Sequence, residues 1–170
     1  QNGETVLVFG PGIIGFFVAF LSISRGADVT VLGLSTDIKR LDICQKIGCK
    51  IKVIETNKDS DLSEFFLSNF SKVDIVFECS GNPNAAGYGI DIVKTRGCYI
   101  QVGLPGEHIV INLNKIASKE LKILGTYSSI YSDFEAVLSI MNQSDFDFSS
   151  LISSVFPLES WERAFHDAQE

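Results

Sequence analysis

Gly10, Gly12 and Gly15 form a GxGxxG triplet, GPGIIG, between an all-apolar run and a second, longer apolar stretch. The chemistry this spacing offers is anion binding by main-chain groups. The first glycine permits a tight turn, the second lets a pyrophosphate approach the backbone, and the third lets a helix pack against a strand. The helix N-terminus adds free N–H groups and a partial positive charge. Pro11, Ile13 and Ile14 complete the turn. In a chain with 14 glycines a lone triplet says little; one opening a helix directly after a buried strand says much more.

The surrounding elements supply that context. Residues 6–9 are apolar at every position, as a strand buried on both faces requires. A helix over 15–25 follows, closed by Gly26, and then a strand over 29–32. Asp37 is expected to N-cap a helix running to about residue 47, closed by Gly48. Further strands are expected at 51–54, 73–79 and 97–102, with a short helix over 62–67 between the first two. Asn82-Pro83 caps and starts the helix before the last of them. Beyond Gly103, residues 109–111 and 121–125 read as two strands joined by a helical piece around Asn114. A helix over 132–141, a strand over 151–156 and a helix over 158–168 complete the chain. Strands alternating with helices through short connections give an α/β fold, a Rossmann-type doubly wound parallel sheet of about six strands with helices on both faces.

A dinucleotide site makes two further demands. One is an acid at the end of the second strand, about 20 residues on, to hold the adenosine ribose hydroxyls. That position reads Leu32-Gly33-Leu34-Ser35-Thr36. Gly33, Ser35, Thr36 and Arg40 suit a 2′-phosphate, so the cofactor is expected to be NAD(P), leaning to NADP. The alternative leaves Lys39 and Arg40 on a solvated helix face, with Asp37 reaching the ribose. The other demand is small residues at the carboxyl ends of the central strands. Cys79, Ser80 and Gly81 meet it on one strand, and Val102, Gly103 and Leu104 on the next.

Composition excludes several classes. Lys and Arg number 14 against 21 Asp and Glu, a net charge of −7, so no nucleic-acid partner is expected. The longest apolar run, residues 13–23, is about half a membrane span. Cys44, Cys49, Cys79 and Cys98 match no metal or redox spacing and read as small apolar filler in a reducing, cytoplasmic setting. His108 and His166 have no ligand-type neighbour at metal spacing. No catalytic residue and no metal ligand is therefore expected. The chain opens almost directly into a strand and ends in a helix, as a piece of a longer protein would.

The segments GETVLVFGPGIIG, RLDICQKIGC, VDIVFECSGNP, GCYIQVGLPG and SKELKILGTY, with FPLESWERAF near the end, resemble the coenzyme domain of the medium-chain dehydrogenase/reductases. The likeness is to the zinc-type alcohol, sorbitol and threonine dehydrogenase group and spans almost the whole chain. It implies a single NAD(P)-binding Rossmann domain over residues 1–170, whose parent moves a hydride between NAD(P) and a small alcohol or carbonyl substrate. It also implies that the catalytic zinc lies in a GroES-like domain outside this chain, which alone would bind cofactor without catalysis. Gly10 to Gly15 would then cover the pyrophosphate. Cys79 to Gly81 and Val102 to Leu104 would line the path to the nicotinamide, with Thr126 and Tyr127 near its ribose. The strands around 109–111 and 121–125 resemble the family's dimer edge, so a homo-oligomer is expected. Gly33 departs from the family's acid. A regulatory NAD(H)-sensing domain and an S-adenosylmethionine-binding domain are the alternatives, and both would want an acid at that point.

Overall fold

A computed structural model describes residues 3–55, 62–70 and 72–168. The chain falls into two compact units, residues 1–130 and 131–170. The first contains β1 (Thr5–Phe9), α1 (Ile13–Ser24), β2 (Asp28–Leu34), α2 (Ile38–Lys46), β3 (Lys50–Ile54) and α3 (Ser63–Asn69). It continues with β4 (Val73–Glu78), α4 (Pro83–Ile92), β5 (Val93–Gln101), α5 (Leu113–Ser118) and β6 (Lys122–Gly125).

The six strands make one parallel sheet in the order β3-β2-β1-β4-β5-β6. This is the doubly wound α/β architecture the element order predicts, with its winding reversed between β1 and β4. Side chains alternate across β1. Leu7 and Phe9 join Leu32, Phe66, Val76 and Tyr99 in one buried cluster. Val6 and Val8, also buried, take the opposite face beneath buried Phe16 and Ala19 of α1. Asn82 caps α4 as expected: its Oδ1 accepts the Asn84 N–H at 2.9 Å, and Pro83 occupies the first turn.

Three sequence expectations are corrected in this unit. β2 runs on to Leu34, so Gly33 lies inside the strand rather than after it. β5 begins at Val93, and its register against β4 shifts between Val73 and Ile75. The extra residues include Arg96 in the left-handed region at φ 63°. Residues 109–111 form no strand: β6 occupies the free edge of β5 in register with Cys98 to Gln101. Asn112 then turns the chain into α5 by accepting the Asn114 N–H.

The second unit consists of α6 (Tyr131–Gln143), 3-10 turns at Phe148–Leu151 and Leu158–Ser160, and α7 (Trp161–Asp167). The strand expected over 151–156 is absent. Asp147 accepts the Ser149 N–H and hydroxyl and winds the chain into a turn there, and no strand among the described residues of this unit offers a ladder. No helix among the described residues is long and apolar enough to cross a membrane.

Candidate functional site

β1 delivers the glycine triplet to the point where the sheet reverses. Gly10 sits at φ 92°, and a Cβ there would lie 2.9 Å from the Ser80 Cβ. Its N–H donates to Leu32 O at 2.9 Å, tying the turn to β2. At Gly15 a Cβ would fall 1.9 Å from Gly10 O, so a side chain of any kind would displace the turn from the helix. Gly12 is different: its Cβ would meet nothing within 4 Å. It is the N-cap of α1, whose first turn carries no acidic residue. The first intrahelical bond runs from Phe16 N–H to Gly12 O at 2.8 Å, which leaves the N–H groups of the opening turn directed outward. The backbone at Gly12 therefore faces open space with donors and the positive end of a helix dipole.

That space is a cleft of about 610 Å³. Gly10, Pro11 and Gly12 form one wall and Cys79, Ser80 and Asn82 another. Ile54, Leu62, Phe66 and Tyr88 give it an apolar end, with the Phe66 and Tyr88 rings stacked at 4.6 Å between centroids. Gly33, Leu34, Asp37 and Arg40 line the remaining side. A Cβ on Gly33 would meet Pro11 Cγ at 2.9 Å and Asp37 Cβ at 3.2 Å. No acid fits at position 33 without moving one of them.

Asp37 does not cap α2 with its side chain. A 3-10 turn over Ser35–Asp37 precedes the helix, and the carboxylate folds back to the end of β2, where Oδ2 accepts the Leu34 N–H at 3.1 Å. Its other oxygen faces Arg40 Nη1 at 3.3 Å. Ser35 and Thr36 are exposed in the same turn and do not line the cleft.

The residues expected at the other strand ends are adjacent but only partly within the cleft. Gly81, at φ 69°, abuts the Leu104 carbonyl, and Gly103 abuts the Gly81 N–H. Val102 and Gly103 donate to Glu78 O at 2.9 and 2.8 Å. Thr126 N–H donates to Gln101 O at 3.1 Å, while Tyr127 stands exposed just beyond. Ile13 and Ile14 project from the first turn of α1, about half exposed.

Beneath these turns lies a polar group that the sequence reading did not single out. Glu78 is wholly buried, and its carboxylate accepts hydrogen bonds from Ser80, Gly81 and Gln101. Its signal was present: one acid closing an otherwise apolar strand. Burial, and then the charge of Glu78, push the Cys79 thiol up to about 12. Burial also raises Cys44 to about 11 and Cys49 to about 12. All four cysteines are free thiols, and burial favours the protonated, less nucleophilic form of these three. Among the described residues no group of three or more His, Cys, Asp or Glu could hold a metal ion.

Comparison with known proteins agrees with this architecture. Residues 14–143 match the family described as zinc-binding dehydrogenase. Sorbitol dehydrogenase of Halalkalibacterium halodurans is 34% identical over 169 residues, 98% of this chain and 49% of that protein. L-threonine 3-dehydrogenase of Idiomarina loihiensis is 29% identical, over 96% of this chain and 48% of its own length. The solved L-idonate 5-dehydrogenase of Escherichia coli superposes with a TM-score of 0.84 at 21% identity, over 99% of this chain and 47% of that one. An Escherichia coli protein described as a short chain alcohol dehydrogenase, solved with the cofactor NADH, gives 0.85 at 19% identity, covering 99% of this chain and 49% of that one. The chain thus spans about half the length of the relatives it matches. The family match, the 34% identity across nearly every residue and the glycine turn at the switch point place this chain in the zinc-binding dehydrogenase family.

Proposed function

We propose that this chain is the dinucleotide-binding half of an oxidoreductase that transfers a hydride between a nicotinamide cofactor and a small alcohol, polyol or carbonyl substrate. The carrying observation is the open backbone at Gly12, at the head of α1, facing a cleft whose far end is apolar. A pyrophosphate is matched by the helix N-terminus and an adenine by the end built from Ile54, Leu62, Phe66 and Tyr88. The cofactor supplies the hydride acceptor and donor. The chain's own part is to bind and orient it: Gly10 to Gly15 hold the phosphates, and the ends of β4, β5 and β6, with Cys79–Gly81, Val102–Leu104 and Thr126–Tyr127, carry the groove onward. This reading assigns the zinc site and the substrate walls to the half of the relatives' length that this chain does not span. Taken alone, the 170 residues bind cofactor and turn nothing over.

The leaning to NADP, which rested on Ser35, Thr36 and Arg40, gives way here to NAD(H). Asp37 and Arg40 line the cleft at the end of β2, Arg40 is engaged by the Asp37 carboxylate, and Ser35 and Thr36 are not among the lining residues. A carboxylate accepts from ribose hydroxyls and repels a 2′-phosphate. Self-association along the open edge of β6, where Leu124 is 53% exposed, and residence in a reducing cytoplasm complete the proposal.

Titrating the 170-residue chain with NADH and NADPH, followed by nicotinamide fluorescence, tests it. Tighter binding of NADH is expected. Binding of neither cofactor at high micromolar concentration, or binding of S-adenosylmethionine instead, would overturn the reading.

A further inference from the structure

Glu78 ends β4 and has no exposed surface. A carboxylate at that depth is tolerated only when its oxygens receive donors, and here the donors come from the turn after β4 and from the end of β5. Ser80 N–H donates to Oε1 at 2.8 Å, and the Ser80 hydroxyl donates to the same oxygen. Gly81 N–H reaches both oxygens at 3.1 Å. From the neighbouring strand Gln101 Nε2 donates to Oε2 at 2.7 Å. The Gln101 amide is itself held, since Nε2 also donates to Gly103 O at 2.8 Å and Oε1 accepts the Tyr99 hydroxyl.

Contacts carry this arrangement outward. A Cβ on Gly103 would lie 2.7 Å from Glu78 Oε2 and 2.4 Å from Gly81 N. One on Gly81 would lie 2.9 Å from Leu104 O, and one on Gly10 the same distance from Ser80 Cβ. The turns after β1, β4 and β5 therefore rest against one another, with the Glu78 carboxylate beneath them.

We propose that Glu78 is a positioning residue for the dinucleotide: it holds the Ser80–Gly81 and Gly103–Leu104 turns, and through Ser80 the Gly10 turn, at the spacing that admits the cofactor. It does so without touching the cofactor. The inference rests on reading the groove as a dinucleotide site. It requires a carboxylate, because an amide at position 78 has one acceptor oxygen and must aim an NH₂ at the N–H groups of Ser80 and Gly81 or at the Gln101 NH₂. Donor then faces donor, and one turn has to move.

The test measures NADH affinity by fluorescence and folding by circular dichroism on the 170-residue chain and three variants. Glu78→Gln is expected to weaken NADH binding by about tenfold or more, the equivalent of one unmade buried hydrogen bond. Val76→Ala, in the same strand and fully buried, lowers stability while leaving NADH affinity within about twofold. Gln101→Met removes one donor from the carboxylate but keeps those of Ser80 and Gly81, so it stays folded and weakens NADH by about threefold or more.

Unchanged affinity in E78Q, or a loss in V76A matching that of E78Q, would overturn the proposal. Should E78Q fail to fold, Gln101→Met decides, and NADH affinity unchanged in that variant overturns it. A wild-type chain that binds no NADH refutes the dinucleotide reading itself, which separates the two failures.

Discussion

Replacing Asp37 by Ala should reverse the cofactor preference. The carboxylate is held at the end of β2 by the Leu34 N–H, with its side chain 20% exposed. With a 2′-phosphate about 6 Å away and an effective dielectric of about 40, repulsion is roughly 1.4 kcal/mol per unit charge. A phosphate monoester carries about −1.5 to −2, and screening over a Debye length of about 8 Å removes roughly half of the total. Relief of that repulsion therefore strengthens NADPH by about 1.4 kcal/mol, or about tenfold. Loss of the charged acceptor to the ribose hydroxyls weakens NADH by a similar amount, about 1.5 kcal/mol. Arg40, released from an exposed ion pair worth under about 1 kcal/mol, becomes available to the phosphate. The NADPH-to-NADH affinity ratio should thus rise by about 100-fold, and D37A/R40A should keep the part that comes from relieved repulsion, losing only what the freed Arg40 adds. Fluorescence titration of both cofactors against wild type, D37A and D37A/R40A reads it directly. A ratio that moves less than about threefold, or a wild type that already prefers NADPH, refutes the electrostatic reasoning.

The two outer glycines of the triplet and the middle one should fail differently. Gly15→Ala forces a Cβ against Gly10 O, and overpacking of this kind costs about 1–3 kcal/mol or more, so thermal unfolding should shift downward by several degrees. Gly12→Val meets open space and should leave the melting temperature nearly unchanged while abolishing NADH binding in the same titration. Asp74 is held down at about 2, first by Lys94 and then by Thr5. Because its folded value lies below its unfolded one, its contribution is complete above about pH 4 and is lost as pH falls toward 2. Acid unfolding of Asp74→Asn should accordingly show a shallower pH dependence across that window. With Cys44, Cys49 and Cys79 pushed to about 11 or 12, iodoacetamide at pH 8 should leave all three unmodified until denaturant is added, as mass spectrometry of the digested protein would show.

The fold was legible because its signals are local. All-apolar runs mark strands covered on both faces, and glycines at 26 and 48 mark helix ends, both of which sit at positive φ. The errors arise where a partner decides the outcome. Residues 109–111 look like a strand, yet they pair with none of the six strands of the sheet. Residues 151–156 look like another, but the Asp147 side chain turns the chain first. The end of β2 was misplaced by two residues because Gly33 reads as a breaker, whereas in the sheet it pairs with Val53. Among site residues, the phosphate turn could be read from spacing alone. The apolar end of the cleft could not, since Phe66 and Tyr88 lie on different helices and meet only through the packing of α3 against α4.

Gly33 and Asp37 are better understood together than as one missing and one misplaced residue. Pro11 stiffens the phosphate turn by fixing its own φ, and its ring fills the space a side chain at position 33 would need. A proline there and an acid at the end of β2 are therefore sterically opposed, and the chain has taken the proline. The 3-10 turn that follows carries a carboxylate back to the same strand end from four residues farther along, anchored on the Leu34 N–H. The negative charge is kept while its point of attachment moves from a strand to a turn. One consequence separates this account from a chance placement of Asp37. Gly33→Asp alone should weaken NADH binding, because the new side chain displaces Pro11 or Asp37. The double replacement P11A/G33D removes the closer obstruction, the Pro11 ring, and should bind NADH better than G33D does. If the double variant binds no better than G33D, the clash with Pro11 is not what keeps position 33 a glycine.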